Sequence, residues 1–367
     1  MINLYAIQAG FGDCFLLEYG TADLPEYILL DGGPPRNYKD FLKPALETLM
    51  KSSSSLEAVM VSHVDNDHIV GVLDLLVDLK FQQDAGAKPY LHIGQLWFNT
   101  FKDTIDTGDL EKRMKEINTI AGVNGIRMQE MSMAFNGIKE GYQILSVARF
   151  LDIPINPDTE KGFYFGGQNK PSFKISNLEI TIIGPTLTNL QKLQKKWEDW
   201  IHDNEQKILE GKYTKDFAAM SDRSIPNLSS IIMLIKADGK TILLSGDCRG
   251  DHLQEGLIET GLSVDGKFHV DVFKVPHHGS QRNVTRDFFK DVTAETYVIS
   301  ADGTNGNPDE ETLSWIVETA KEAGRKIQFI FTNETLSTTA FQNKYPPADW
   351  GYQLLFIPNG ENYLLIP

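Results

Sequence analysis

The sequence predicts an α/β protein, a four-layer αββα sandwich with a mainly helical insertion. Three observations point there. Short apolar runs alternate with helical segments in the first third, and the same rhythm returns in the last third. Between them, residues 100–225 are rich in charges and amides and lose the strand rhythm. A sheet–helix unit at each end can bury one sheet against the other and leave the helices outside. The expectation is one domain over 1–367, with 100–225 inserted within it.

The elements follow in order. INLYAI (2–7), CFLLEY (14–19) and YILLD (27–31) predict strands separated by glycine-containing turns. DFLKPALETLM (40–50) has helical spacing, with Pro44 in its first turn or at a kink. LEAVMVS (56–62) predicts a buried strand, IVGVLDLLVDL (69–79) a helix and LHIGQLWF (91–98) another strand. The middle third offers a strand at LEITIIG (178–184) and an exposed helix near 186–210. SSIIMLIKADGKTILLSGD (229–247) predicts a hairpin turning at Asp238-Gly239. Strands at 269–275, 296–300, 327–332, 353–357 and 362–366 follow, with helices at 284–290 and 309–323.

Composition narrows the function. The chain has 367 residues, 41% of them hydrophobic, with a formal net charge of -15. That acidity argues against a broad basic face for duplex nucleic acid. No apolar run is long enough for a membrane helix, and MINLYAIQAGFGD lacks the basic and apolar regions of a secretory signal. Two cysteines, Cys14 and Cys248, make no disulfide framework and fit a cytoplasmic setting.

Three motifs carry chemistry. The first is Ser62-His63-Val64-Asp65-Asn66-Asp67-His68, between a strand and a helix. Acids capping a helix N-terminus account for one aspartate, not for two histidines and two aspartates packed so closely. Imidazole with carboxylate suits Zn, Mn or Fe. The second is Ser245-Gly246-Asp247, where a carboxylate emerges as an apolar strand ends. The third is Lys274-Val275-Pro276-His277-His278-Gly279-Ser280, in which adjacent imidazoles diverge, so one binds metal and the other meets substrate or a ligand. Lys274 and Arg282 beside it are read as solvated charges able to meet an anion.

HxDxDH, GD and HHGS, each at a strand end, resemble the metallo-β-lactamase superfamily and, more narrowly, the hydrolase domain of the competence protein ComEC and its free-standing relatives. Gly10-Phe11-Gly12-Asp13 resembles that group's opening turn, and Leu30-Asp31-Gly32-Gly33 the superfamily's first motif. Asn227-Leu228-Ser229-Ser230, Ile299-Ser300-Ala301 and Asn307-Pro308 also fit. The resemblance covers about 1–100 and 220–320. It implies two divalent ions, Zn or Mn: His63 and Asp65 on one, Asp67 and His68 on the other, Asp247 between them and His277 completing the second, with His278 able to exchange roles with it. Asp13, Asp31, Asn227 and Ser280 would orient ligands or touch substrate. The chain departs from the superfamily pattern at Asp65, where histidine is usual. It departs again at 224–227, where no histidine stands and Asn227 takes the place, and at Asn307, where close relatives tend to have histidine.

The resemblance implies hydrolysis by a hydroxide shared between the two ions, with Asp67 holding it in line and His278 protonating the leaving oxygen. A phosphodiester or nucleotide is the first substrate class. Thioesters, lactones and lactams form a second. A third reading is a metal-poor interaction subunit with a protein partner bound through the insertion; no membrane partner is expected.

Overall fold

The computed structural model describes residues 1–50, 53–99, 140–141, 143–157, 159, 164–167, 172–191 and 229–367. Most of the expected insertion, including the helix beyond residue 191 and Asn227, lies outside the described residues.

Two sheets face each other. The first runs in the order β16–β1–β2–β3–β5–β7 and the second β15–β14–β13–β12–β11–β10–β9–β8. In the first sheet, β1 (Ile2–Ile7), β2 (Phe15–Gly20) and β3 (Pro25–Leu30) are antiparallel, while β5 (Ala58–Val61) and β7 (Leu96–Phe98) continue from β3 in parallel. In the second, β8 (Phe173–Ile175), β9 (Leu178–Gly184), β10 (Ile232–Ala237) and β11 (Lys240–Leu244) are antiparallel. Then β12 (Phe268–Lys274), β13 (Val292–Ile299), β14 (Ile327–Phe331) and β15 (Tyr352–Phe356) extend the sheet in parallel. β16 (Tyr363–Ile366) crosses back to pair with β1.

Strand alternation divides the apolar side chains between layers. Leu4, Leu17, Ile28 and Met60 of the first sheet meet Ile180, Met233, Ile242, Val298 and Ile330 of the second in one inter-sheet core. Their neighbours Leu16, Leu29, Val59 and Phe98 pack outward on α1 (Lys43–Leu49) and α2 (Asn66–Asp84). On the far side, Leu234, Leu243, Phe273 and Phe329 pack against α3 (Gly250–Glu259), α4 (Phe288–Asp291), α5 (Glu310–Glu322) and α6 (Leu336–Lys344). Strands covered on both faces read as continuous apolar runs, and each fully buried large aliphatic side chain contributes roughly 1.5–3 kcal/mol. The architecture is therefore the αββα sandwich.

Several elements differ from expectation. The strand expected at 91–98 breaks at Gly94, and that at 56–62 breaks at Glu57. The outer pieces, β4 (Ser55–Leu56) and β6 (His92–Ile93), form their own two-stranded sheet. β9 forms at 178–184 as expected, but with β8 it closes the edge of the second sheet and does not stand apart in an insertion. α3 and α6 were not expected.

Gly71 brings α2 against the turn after β3. A Cβ there would lie 1.8 Å from the Gly32 carbonyl oxygen. The Gly71 amide donates to Gly33 O at 3.0 Å and the Gly32 amide to His68 O at 2.8 Å, so the first turns of α2 are laced to that loop. Among the described residues, no helix is long and apolar enough to cross a membrane.

Candidate metal centre

The site lies where parallel strands end at their carboxyl side, the usual crevice of such sheets. The chain beyond β3 supplies Asp31, beyond β5 His63 to His68, beyond β11 Asp247, and beyond β12 His277 and His278. The turn between β1 and β2 adds Asp13.

Asp247 is the hub, with 2% of its surface exposed. Its Oδ1 lies 3.3 Å from His68 Nε2, and its Oδ2 lies 3.3 Å from His278 Nε2, 3.7 Å from His277 Nε2 and 3.9 Å from His63 Nε2. His63 Nε2 is also 3.4 Å from Asp65 Oδ2, and His278 Nε2 is 3.2 Å from Asp67 Oδ2. One ligand atom each from Asp67, His68, Asp247 and His278 lies within 4.8 Å of the others. Asp13, Asp31 and His68 form a second such group.

The other nitrogen of each ring is engaged. His68 Nδ1 donates to Asp31 Oδ2 at 2.9 Å, and His278 Nδ1 to the Ser300 carbonyl at 2.9 Å. His277 Nδ1 donates to Asn283 Oδ1 at 2.7 Å. The Ser62 hydroxyl donates to Asp31 Oδ2 at 2.7 Å, which leaves its oxygen to accept from His63 Nδ1 at 3.0 Å. Each Nε2 thus keeps a lone pair aimed at the hub. The buried Nε2 atoms of His63, His68 and His278 make no hydrogen bond. Buried polar atoms are otherwise paired, and lone pairs converging among carboxylates suit cations. The residues present therefore fit divalent metal.

Electrostatics agree. Burial pushes the Asp247 carboxyl up, but the His278, His68 and His277 imidazoles and the Lys274 ammonium outweigh it and hold it well below the carboxylate range. Burial disfavours charge on His68 and His278, yet the carboxylates around them, Asp247 foremost, raise both well above the usual imidazole range. His277 is lowered by burial, against the pull of Asp247. Ionised carboxylates interleaved with imidazoles of raised basicity make a site that favours added positive charge.

Backbone conformation aims the third motif. His277, His278 and Gly279 are successively left-handed, with φ of 49°, 55° and 83°. For a residue with a Cβ this costs roughly 1–2 kcal/mol. The run separates the two histidines, whose roles the sequence left exchangeable. His278, only 3% exposed, enters the four-residue group with Asp67, His68 and Asp247, whereas the side chain of His277 is 18% exposed and its Nε2 lies 3.7 Å from Asp247 Oδ2. Ser280 is buried, and its amide closes the turn onto His277 O.

Lys274 departs from the reading as a solvated charge. It is 1% exposed. Its Nζ pairs with Asp13 Oδ2, donates to Gly246 O at 3.0 Å and lies 3.5 Å from Asp247 Oδ1. The sequence held the signal: strand alternation puts Lys274 on the same face as Val272, between the sheets. Arg282 is exposed as read, and so are His92 and His269. Cys248 points into the outer helix layer, away from the hub.

No family model matches this chain. A stretch of 63 residues is 38% identical to the anti-Pycsar protein Apyc1 of Paenibacillus sp. (strain J14), covering 16% of this chain and 25% of that protein. The chain thus matches about a quarter of that relative's length. Among solved structures, one described as a new diphosphatase from the PhnP family aligns over 100% of this chain and 98% of its own, at 9% identity and a TM-score of 0.36.

Proposed function

We propose that this chain is a metal-dependent hydrolase that acts on phosphodiesters through a centre for two divalent ions. The convergence of four imidazole Nε2 atoms on the Asp247 carboxylate carries the proposal. His63 and Asp65 would hold one ion, Asp67, His68 and His278 the other, and Asp247 would stand between them.

Divalent ions bound there lower the pKa of water towards neutrality and offset charge on phosphoryl oxygens. The chain's own groups supply the rest. Asp31 and the Ser300 carbonyl engage Nδ1 of His68 and His278, which leaves each Nε2 aimed inward for an ion to take when one is bound. Asp65 and Asp67, at 29% and 22% side-chain exposure, flank the mouth. His277, its Nδ1 tied to Asn283, presents an unprotonated Nε2 3.7 Å from Asp247 Oδ2, placed as a general base beside the centre. Three aspartates among the proposed ligands make an oxygen-rich donor set, which suits a hard ion such as Mn better than a thiolate-rich site would. Hard ions pair naturally with phosphoryl oxygens, and this favours phosphodiesters over thioesters or lactones.

The test uses protein purified without chelator and bis(p-nitrophenyl) phosphate as substrate. Turnover should require Mn or Zn. Asp247→Asn should lower it by about 10²–10³-fold or more, with the circular dichroism spectrum unchanged. Full activity in that variant would refute the site, and turnover of lactones or thioesters alone would move the substrate class.

A further inference from the structure

We propose that Lys274 is a positioning residue: a permanent positive charge that holds the carboxylates of the centre in place before any metal ion arrives. The inference rests on the metal-centre reading above, but it concerns the protein without metal.

Five carboxylates crowd this site, those of Asp13, Asp31, Asp65, Asp67 and Asp247, and three of them are nearly or fully buried. Like charges so close repel strongly where water is excluded. Among the described residues, Lys274 is the one lysine or arginine that ion-pairs with any of the five. It meets two, Asp13 and Asp247.

These partners belong to different sheets. Asp13 sits in the β1–β2 turn of the first sheet, and Asp247 follows β11 of the second. The ammonium therefore ties the two halves of the site across the inter-sheet core. Its third partner is the Gly246 carbonyl, at 3.0 Å. Gly246 has φ of 52°, a left-handed turn that directs the next residue, Asp247. Holding that carbonyl sets the peptide plane from which the Asp247 side chain springs. The strand below is pinned as well, because the Ser245 hydroxyl donates to Lys274 O at 2.7 Å.

An ammonium has three N–H donors, and Asp13, Asp247 and Gly246 take all three. None is left to reach a substrate. The role is therefore structural preparation of the centre, not contact with the reacting atoms.

The experiment compares thermal melts of wild type and Lys274→Met, each after chelation and each with added MnCl2. Chelated Lys274→Met should melt roughly 5–10 °C below chelated wild type, as expected when one partner of a buried pair is removed. Mn should raise the variant by more than it raises wild type, because the ions then supply the missing charge. An equal drop in both conditions would reduce Lys274 to a packing residue and overturn the proposal, as would no drop at all. Absence of any Mn shift in wild type would refute the metal-centre reading and this inference with it. Asp13→Asn/Lys274→Met covers the case in which the single variant does not fold. With one negative charge fewer, it should fold and melt closer to chelated wild type, and a double variant no more stable than Lys274→Met would overturn the proposal.

Discussion

Asp31 and His68 are joined by a 2.9 Å hydrogen bond from imidazole Nδ1 to carboxylate Oδ2, and the same aspartate accepts the amide and hydroxyl of Ser62 at 2.7 Å each. One carboxylate thus orients His68 directly and His63 through Ser62. Asp31 itself is left-handed, at φ of 58°.

Replacing Asp31 should therefore disturb two imidazoles without removing a ligand. Asp31→Ala is expected to weaken Mn or Zn binding by roughly 10–100-fold. A calorimetric metal titration checks this, and unchanged affinity would deny Asp31 an orienting role.

The two adjacent histidines should separate cleanly. His278→Ala is expected to lower the metal content by about one ion per chain, since it removes a ligand atom from the four-residue group. His277→Ala should keep the metal and lose turnover, by about 10²–10⁴-fold if it serves as the general base. Elemental analysis beside rate measurement distinguishes them, and the opposite pattern would restore the roles first expected from the sequence.

Packing beneath the centre is equally exposed to test. Gly71→Ala would drive a methyl group into the Gly32 carbonyl, a backbone atom with no room to yield. A loss of about 1–3 kcal/mol or more is expected. Because α2 carries Asp67 and His68, weaker metal binding should accompany the lower melting temperature.

Away from the centre, Asp78 on α2 accepts from the Tyr38 hydroxyl at 2.6 Å and from Lys43 at 2.9 Å. Partial burial pushes its carboxyl up, but these donors prevail and its pKa is lowered. A depressed carboxylate stabilises the fold above its unfolded pKa, and that contribution fades as pH falls through the folded value. Asp78→Asn should therefore melt below wild type at neutral pH, and the gap should close as the pH falls through the lowered folded pKa of Asp78. A gap that persists in acid would show that the charge is not its source.

Much of the sandwich was legible because strands covered on both faces leave uninterrupted apolar runs, as in VMVS before His63 and ILLSG before Asp247. The clustering of His63, Asp65, Asp67 and His68 was legible for a related reason: a strand end followed by a helix start converges its side chains. The partition between His277 and His278 was not, because it depends on a left-handed run that adjacent histidines do not announce. Lys274 was misjudged because lysine is nearly always solvated, although its strand parity was visible. The breaks at Glu57 and Gly94 were hidden within apolar runs, where composition alone shows no change of partner. β9 was legible as LEITIIG, but β8 and the place of both at the edge of the second sheet were hidden by the charged sequence around them, which suggested a segment outside the sheets.

β1 pairs with β16 from Leu4–Ile366 to Ile7–Tyr363, and the Gln8 amide then donates to Asn362 O at 2.7 Å. Gln8 opens the turn that carries Asp13. The loop bearing Asp13 is thus braced by residues far along the chain, and a pairing of such long sequence separation must meet its loop-closure cost before it rewards the fold.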